Sequence, residues 1–257
     1  MRPKKHLGQH FLTAPAYARR IAESVPAGPT ENVMEIGPGQ GAMSIFLKER
    51  FPSFHLVEVD PAAIGALQEK LGGGGFTLHH ADILKFEFAK AGFPLHVVGN
   101  LPYVIGAHII RKTLGYGNNI LSCTFMVQRE VAERIVAGPH TKRNGFLSVF
   151  CSFFGKPKLL FHVPPGAFFP RPNVDSSVFR ITVEKGIEQK LPRDEWEQFF
   201  ALVSRGYQQR RKKLVNALSI DGEEKEKMHS ALSAIRAEDA RAEDLDADRW
   251  LELYRQV

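Results

Sequence analysis

The sequence is poor in the residues that build metal centres and disulfide frameworks. Only two of its 257 residues are cysteines, Cys123 and Cys151, and neither has a second cysteine at metal-ligand spacing. Both lie in apolar segments, which predicts buried thiols in a reducing compartment and excludes a disulfide-stapled scaffold. No metal is therefore expected.

Long apolar runs are also absent. No stretch approaches the ~20 apolar residues that cross a bilayer, so no membrane partner is expected. Residues 1–9 are basic and lack the apolar core of a signal peptide, which favours a cytoplasmic protein.

Charge is distributed unevenly along the chain. Residues 1–220 contain 28 Lys and Arg against 17 Asp and Glu, whereas residues 221–257 contain 6 against 11. A body this basic favours a polyanionic partner, of which nucleic acid is the commonest, although a merely solvated surface is the alternative. The densest basic run supplies five candidate phosphate-binding residues: Arg205, Arg210, Arg211, Lys212 and Lys213.

Strands and helices alternate from residue 32 onward. Asn32–Ile36 is predicted to be a strand, and a glycine-rich turn from Gly37 to Gly41 leads into a helix over 42–50. A strand, a glycine turn and a helix begin a nucleotide-binding unit, in which the missing side chains let a ligand approach the backbone. The spacing G-x-G-x-G is not that of dinucleotide enzymes, and no phosphate-loop lysine follows, so a pyrophosphate ligand is disfavoured.

Acidic residues follow the next two strands. Glu58 lies near the carboxyl end of the strand predicted over 54–59, 21 residues after Gly37, where this fold places an acceptor for ribose hydroxyls. Asp60 is the expected N-cap of the next helix. Asp82 follows a strand over 76–79 and is a candidate acceptor for an adenine amino group, with capping of the next turn as the alternative.

The apolar run Val97–Gly99 stops abruptly at Asn100, Leu101, Pro102 and Tyr103. The amide of Asn100 and the carbonyl of Leu101, held extended before proline, offer two acceptors, and Tyr103 offers a flat ring. This set favours a planar guest that carries an amine, such as a nucleobase. The alternative is an ordinary turn between a strand and a helix.

The remaining pattern indicates the fold class. Strands over 158–163 and 174–184 flank a proline-rich loop, 164–172, that is expected to hold no regular element, so the two strands should be antiparallel. A parallel sheet that ends in such a pair is typical of class I (Rossmann-like) methyltransferases. We therefore predict an α/β domain over 1–187 with a mostly parallel seven-stranded sheet.

The segment that follows is predicted to be a small all-α domain over 188–257. Its expected helices are 193–204, 209–218, 224–235 and 248–254.

Seven motifs occur in order along nearly the whole chain. They are Gly8-Gln9-His10-Phe11-Leu12, Glu35-Ile36-Gly37-Pro38-Gly39-Gln40-Gly41, Val57-Glu58-Val59-Asp60, Asp82-Ile83, Asn100-Leu101-Pro102-Tyr103, Phe168-Phe169-Pro170-Arg171-Pro172-Asn173-Val174-Asp175-Ser176 and Gln209-Arg210-Arg211-Lys212. Together they closely resemble the ribosomal RNA adenine N6-dimethyltransferases, with the small-subunit enzymes as the best match. The resemblance implies S-adenosylmethionine as methyl donor, two adjacent adenosines near the 3′ end of 16S rRNA in an immature 30S subunit as substrate, and a monomeric enzyme.

The resemblance also implies roles for individual residues. It assigns cofactor contacts to His10, Leu12, Gly37, Glu58, Asp82 and Asn100, and it makes residues 1–12 a cofactor lid. The catalytic set is Asn100, Leu101, Pro102, Tyr103 and Phe168, of which the two rings hold a flipped base. His10 departs from many relatives, which carry asparagine there.

Two other functions are open at this stage. One is dimethylation of 23S rRNA of the macrolide-resistance type. The other is RNA binding by a catalytically silent assembly factor, which the intact Asn100–Tyr103, Glu58 and Asp82 argue against.

Overall fold

The computed structural model describes residues 10–257. Its strands are β1 (Phe11–Leu12), β2 (Asn32–Ile36), β3 (His55–Glu58), β4 (Thr77–His80), β5 (Leu95–Asn100), β6 (Ile120–Gln128), β7 (Gly155–Val163), β8 (Phe168–Phe169) and β9 (Ser176–Val183). Its α-helices are α1 (Pro15–Glu23), α2 (Ser44–Arg50), α3 (Pro61–Leu71), α4 (Gly106–Leu114), α5 (Arg129–Ile135), α6 (Phe146–Phe154), α7 (Ile187–Lys190), α8 (Trp196–Gln208), α9 (Leu214–Ala217), α10 (Gly222–Ala234) and α11 (Ala247–Tyr254). None of these helices has the length and apolar character needed to cross a membrane.

Seven strands form one sheet in the order β4-β3-β2-β5-β6-β9-β7. The pairs from β4 to β6 are parallel, whereas β9 runs antiparallel to β6 with Phe125 opposite Phe179. This order, with one reversed strand near an edge, is the predicted class I methyltransferase sheet. The carboxyl ends of β2, β3, β4 and β5 therefore meet at one edge, where α/β sheets bind their ligands.

Local sequence explains how the chain leaves this edge. The helix α3 begins at Pro61, and the Asp60 side chain accepts a hydrogen bond from the backbone N–H of Ala62 at 3.1 Å. The predicted N-cap is therefore confirmed. This cap starts α3 directly beyond β3, so Glu58 is held at the ligand-binding edge of the sheet.

A two-stranded ribbon forms a second, separate sheet. The strands β1 and β8 are antiparallel, with Phe11 opposite Phe169 and Leu12 opposite Phe168. The prediction that 164–172 holds no regular element was wrong, because Phe168 and Phe169 lie between Pro165 and Pro170 and keep N–H groups that a partner strand can use. Residues 1–9 of the predicted lid, including Gly8 and Gln9, lie outside the described residues.

The chain divides into two compact units. The first comprises residues 10–132 and 157–185, and the second comprises 133–156 and 186–257. The predicted boundary at 187/188 differs by assigning 133–156 to the first unit. The helix α6 joins the second unit through aromatic contacts with α8: the ring centroids of Phe150 and Phe200 are 4.5 Å apart, and those of Phe154 and Trp196 are 5.1 Å apart.

The helix predicted over 209–218 was largely wrong. Residues 209–212 form a turn, and α9 covers only Leu214–Ala217. The backbone of Lys213 bridges to Arg241, and the N–H of Leu214 donates to the carbonyl of Ala240 at 2.8 Å. Pairing with a distant segment replaces the helical hydrogen bonds that the local sequence favours.

Candidate nucleotide and base site

A cavity opens at the carboxyl edge of the sheet in the first unit. It is lined by all six predicted cofactor residues: His10, Leu12, Gly37, Glu58, Asp82 and Asn100. Leu101, Pro102 and Tyr103 line the same cavity. The structure thus brings together residues from β1, from the turn after β2 and from the ends of β3, β4 and β5.

Glu58 fixes the glycine turn at the floor of the cavity. Its Oε2 accepts from the backbone N–H of Gly39 at 3.0 Å, and its Oε1 accepts from those of Val59 and Asp60, each at 2.9 Å. A carboxylate has about four lone-pair sites, so Oε2 retains capacity for a ligand hydroxyl. The buried carboxylate therefore holds the backbone of the turn and keeps an acceptor site on the cavity lining.

Gly39 needs its lack of a side chain. Its φ is +54°, and an added Cβ would lie 3.1 Å from the Phe11 ring. A side chain there would be strained and would press against β1. The close approach of Phe11 to this turn forms one wall of the cavity.

Glu35 is a cavity residue to which the sequence analysis assigned no role. It is fully buried in β2, its Oε2 lies 2.6 Å from the donating Ser44 hydroxyl, and burial, reinforced by the charge of Glu58, raises its pKa to about 8. Glu35 therefore holds its proton at neutral pH. The available signal was an acid inside an otherwise apolar strand.

Asp82 caps a turn and also lines the cavity. Its Oδ1 accepts from the backbone N–H of Leu84 at 2.9 Å, which caps the turn after β4, while the residue lines the cavity. Capping holds the carboxylate in place. Its other oxygen has no hydrogen-bond partner among residues 10–257 and can accept from a ligand.

Asn100 has a defined amide orientation. Its Nδ2 donates to the carbonyl of His10 at 3.1 Å, and Oδ1 has no hydrogen-bond partner among residues 10–257. The N–H of Leu101 donates to the carbonyl of Met126 at 3.0 Å and ties the turn to β6. Asn100 Oδ1 thus remains available as an acceptor on a cavity-lining residue, in a turn that is tied to β6.

Tyr103 already has an aromatic neighbour. The His10 ring stacks on it with centroids 5.3 Å apart and planes 30° apart, and His10 Nδ1 lies 2.7 Å from the carbonyl of Pro170. The Tyr103 hydroxyl lies 3.0 Å from Ser176 Oγ, and burial raises the pKa of Tyr103. Its ring is therefore fixed at both its edge and its face.

Phe168 does not line the cavity. Its side chain is 5% exposed and packs in the core with Leu12, whereas Phe169 beside it is 64% exposed. The structure thus groups every predicted catalytic residue except Phe168 around the cavity. The stacking role of Phe168 stays a prediction.

Comparison with known proteins identifies the family. The profile of the family described as ribosomal RNA adenine dimethylase matches residues 1–257. The chain belongs to the ribosomal RNA adenine dimethylase family.

Relatives in the ribosomal RNA adenine dimethylase family cover most of the chain. A "Ribosomal RNA small subunit methyltransferase A" from Aromatoleum aromaticum is 42% identical over 84% of this chain and 81% of its own length. One of the same name from Xanthomonas campestris pv. campestris is 38% identical over 97% of this chain and 94% of its own length.

Solved structures share the fold. A dimethyladenosine transferase from Plasmodium falciparum has a TM-score of 0.83 at 19% identity and covers 95% of this chain and 96% of that one. The 23S rRNA methyltransferase ErmE has a TM-score of 0.72 at 23% identity, and the match covers 96% of this chain and 98% of that one.

Three of the five basic residues predicted to bind phosphate have partners within the second unit of this adenine dimethylase. Arg205 donates to the carbonyl of Leu218 at 2.7 Å, Arg210 pairs with Glu243 at 2.7 Å, and Lys213 pairs with Asp239 at 2.7 Å. Arg211 and Lys212 are exposed, and neither has an ion-pair partner in the described part of the chain. Within residues 10–257, no group of three or more His, Cys, Asp or Glu side chains could hold a metal ion.

Proposed function

We propose that this protein transfers methyl groups from S-adenosylmethionine to N6 of two adjacent adenosines near the 3′ end of 16S rRNA, within an immature small ribosomal subunit. Membership of the adenine dimethylase family supports the reaction, and the names of the relatives support the small subunit. The observation that carries the proposal is the single cavity that contains Glu58, Asp82 and Asn100.

The cavity suits an adenosine-containing cofactor. Glu58 retains lone-pair capacity for ribose hydroxyls, Asp82 for an adenine amine, and the positive-φ turn at Gly37 and Gly39 leaves room beside the backbone. S-adenosylmethionine supplies the methyl group when bound. The buried Glu35 and the walls formed by Phe11 and Leu12 enclose this part of the site.

Asn100 orients the nucleophile in this proposal. The lone pair of an adenine exocyclic nitrogen is delocalised into the ring, so acceptors aimed at its hydrogens favour the pyramidal, reactive form. Asn100 Oδ1 and the Leu101 carbonyl supply these acceptors. The methylated nitrogen is strongly acidic and loses its proton to water, so positioning and electrostatics supply the catalysis and no protein base is required.

Residues of each unit contact RNA in this proposal. Tyr103 contacts the face of the flipped base, and Phe168 supports that wall from the core. Arg211 and Lys212 contact phosphates, because these two residues are exposed and unpaired within the described chain. A monomeric, cytoplasmic enzyme completes the proposal.

The test is methyl transfer to defined ribosomal substrates. The protein is incubated with methyl-labelled S-adenosylmethionine and either small-subunit particles or 23S rRNA that lack these methyl groups, and the labelled nucleotides are mapped. We expect label on two adjacent adenosines near the 3′ end of 16S rRNA. Label on 23S rRNA instead would identify a large-subunit enzyme, and binding to particles with no label on either RNA would identify a silent assembly factor.

A further inference from the structure

The β1–β8 ribbon presents an unused aromatic ring beside the cavity. Residues opposite each other in an antiparallel pair project to the same face, with Cβ atoms about 4.5–5.5 Å apart. Leu12 and Phe168 form one such pair and are buried in the core. Phe11 and Phe169 therefore share the other face, where Phe11 lines the cavity.

Phe169 is a largely exposed aromatic residue in the ribbon that borders the cavity. Its side chain is 64% exposed, and Val104, which lines the cavity after Tyr103, is 72% exposed. Exposed large apolar side chains at the rim of a site commonly mark a binding surface. Among residues 10–257, Phe169 has no ring contact with another aromatic side chain and is not part of the buried core.

A positively charged residue, Arg171, lies close to Phe169 in the sequence. Arg171 lies two residues beyond Phe169, is exposed, and has no ion-pair partner among residues 10–257. A free aromatic face next to an unpaired arginine is the combination with which proteins hold single-stranded nucleic acid, because the ring stacks on a base and the cation meets its phosphate.

We propose that Phe169 stacks on the nucleobase next to the one in the cavity, and that Arg171 contacts the phosphate that joins them. This inference rests on the proposed function, in which the substrate carries two adjacent adenosines. When one adenosine enters the cavity, the next is tethered to it by a single phosphate and must lie at the rim. A ring at that rim holds the second adenosine unpaired while the first reacts.

The inference is tested by RNA binding and kinetics with three variants. Phe169→Leu keeps apolar bulk but removes the stacking face, Phe169→Trp keeps the face, and Ile220→Ala is the control at an 84% exposed apolar residue of the second unit. The probes are two short single-stranded RNAs that carry 2-aminopurine on the 5′ or the 3′ side of one adenosine. Stacking quenches the fluorescence of this base.

We expect the wild-type protein to quench one probe on binding. Phe169→Leu should abolish the quenching and weaken RNA affinity by about 5- to 150-fold, the usual range for one base stacked on an aromatic side chain. The same variant should raise KM for small-subunit particles with kcat and cofactor affinity unchanged. Phe169→Trp should show the quenching and the RNA affinity of the wild type. Ile220→Ala should match the wild type in every measurement.

Other results overturn the inference. An unquenched probe with the wild type, or wild-type affinity in Phe169→Leu, removes the stacking role. Loss of affinity that Trp does not restore indicates that the rim contacts a protein surface. These outcomes are separable from failure of the proposed function, because methylation by the wild-type protein is measured independently of the fluorescence.

Discussion

Replacing Glu58 with glutamine should loosen the glycine turn and weaken cofactor binding. The carboxylate accepts three backbone N–H groups, from Gly39, Val59 and Asp60. Glutamine has nearly the same size but only one acceptor oxygen. Its NH₂ group must face either the Gly39 N–H or the other two, so at least one buried donor loses its partner.

The structure sets the size of this effect. One buried donor left without a partner costs about 1–3 kcal/mol. In the more favourable orientation, the glutamine oxygen still accepts from the N–H groups of Val59 and Asp60, and only the Gly39 N–H loses its partner. The cost of about 1–3 kcal/mol therefore applies to a single donor. For a unit of this size each kcal/mol lowers Tm by about 2–4 °C, which gives a decrease of about 2–12 °C.

Calorimetry measures both consequences. Thermal unfolding should show the lower Tm. Titration with S-adenosylmethionine should show an affinity reduced by about 10-fold or more, because the Gly39 N–H no longer holds the turn in place and the charged acceptor for the ribose is lost. Glu49→Gln is the control, since Glu49 is a half-exposed residue paired with Arg19 at 3.6 Å. Wild-type Tm and affinity in Glu58→Gln would refute the assignment of this carboxylate.

Three further perturbations test other parts of the site. Asn100→Ala should lower the single-turnover methylation rate on the order of 100-fold and leave RNA affinity unchanged, because the contact of the amide with the target amine strengthens in the transition state. A near-normal rate on saturating substrate would show that the turn is only structural. Neutralising Arg211 and Lys212 together should reduce the slope of log affinity against log salt concentration for RNA binding by about 0.7–0.9 per phosphate contact. Arg210→Gln should instead mainly destabilise the second unit. An unchanged slope in the double variant would show that Arg211 and Lys212 contact only solvent. Glu35 has a folded-state pKa of about 8 against 4.5 in the unfolded chain, so its contribution is fully present below pH 4.5 and is lost as pH rises toward 8. Relative to Glu35→Gln, the wild-type free energy of unfolding should fall by about 1.4 kcal/mol per pH unit between pH 4.5 and 8, as measured by urea unfolding at several pH values. Parallel pH profiles of the two proteins would contradict the assignment of Glu35 as a buried, protonated acid.

Short-range signals were sufficient for much of the fold. The strand β2 has the predicted bounds, and the N-cap at Asp60 is confirmed. Apolar periodicity and capping chemistry act over a few residues, so one sequence contains them. The antiparallel β9 also followed from a local feature, the short connection after β7.

Long-range pairing was the main source of error. The strands β1 and β8 have two residues each, too few to display a period, and the segment from Arg210 to Lys213 is shaped by residues about 30 positions away, including Glu243. Neither effect has a local signature. Candidate site residues were easier to predict, since turns at the ends of parallel strands must meet, but the neutral state of Glu35 depends on burial that only the folded structure displays.

The β1–β8 ribbon also determines when the cavity is completed during synthesis. His10 and Pro170, which are joined by a hydrogen bond, lie 160 positions apart in sequence. The first strand of the ribbon leaves the ribosome long before its partner, and the intervening chain includes 133–156, which belongs to the other unit. The wall formed by Phe11 and Leu12 therefore cannot take its final position until residue 169 has emerged. A nascent chain that has already built β2 to β6 still lacks this wall, so binding competence arises late in translation rather than with the sheet.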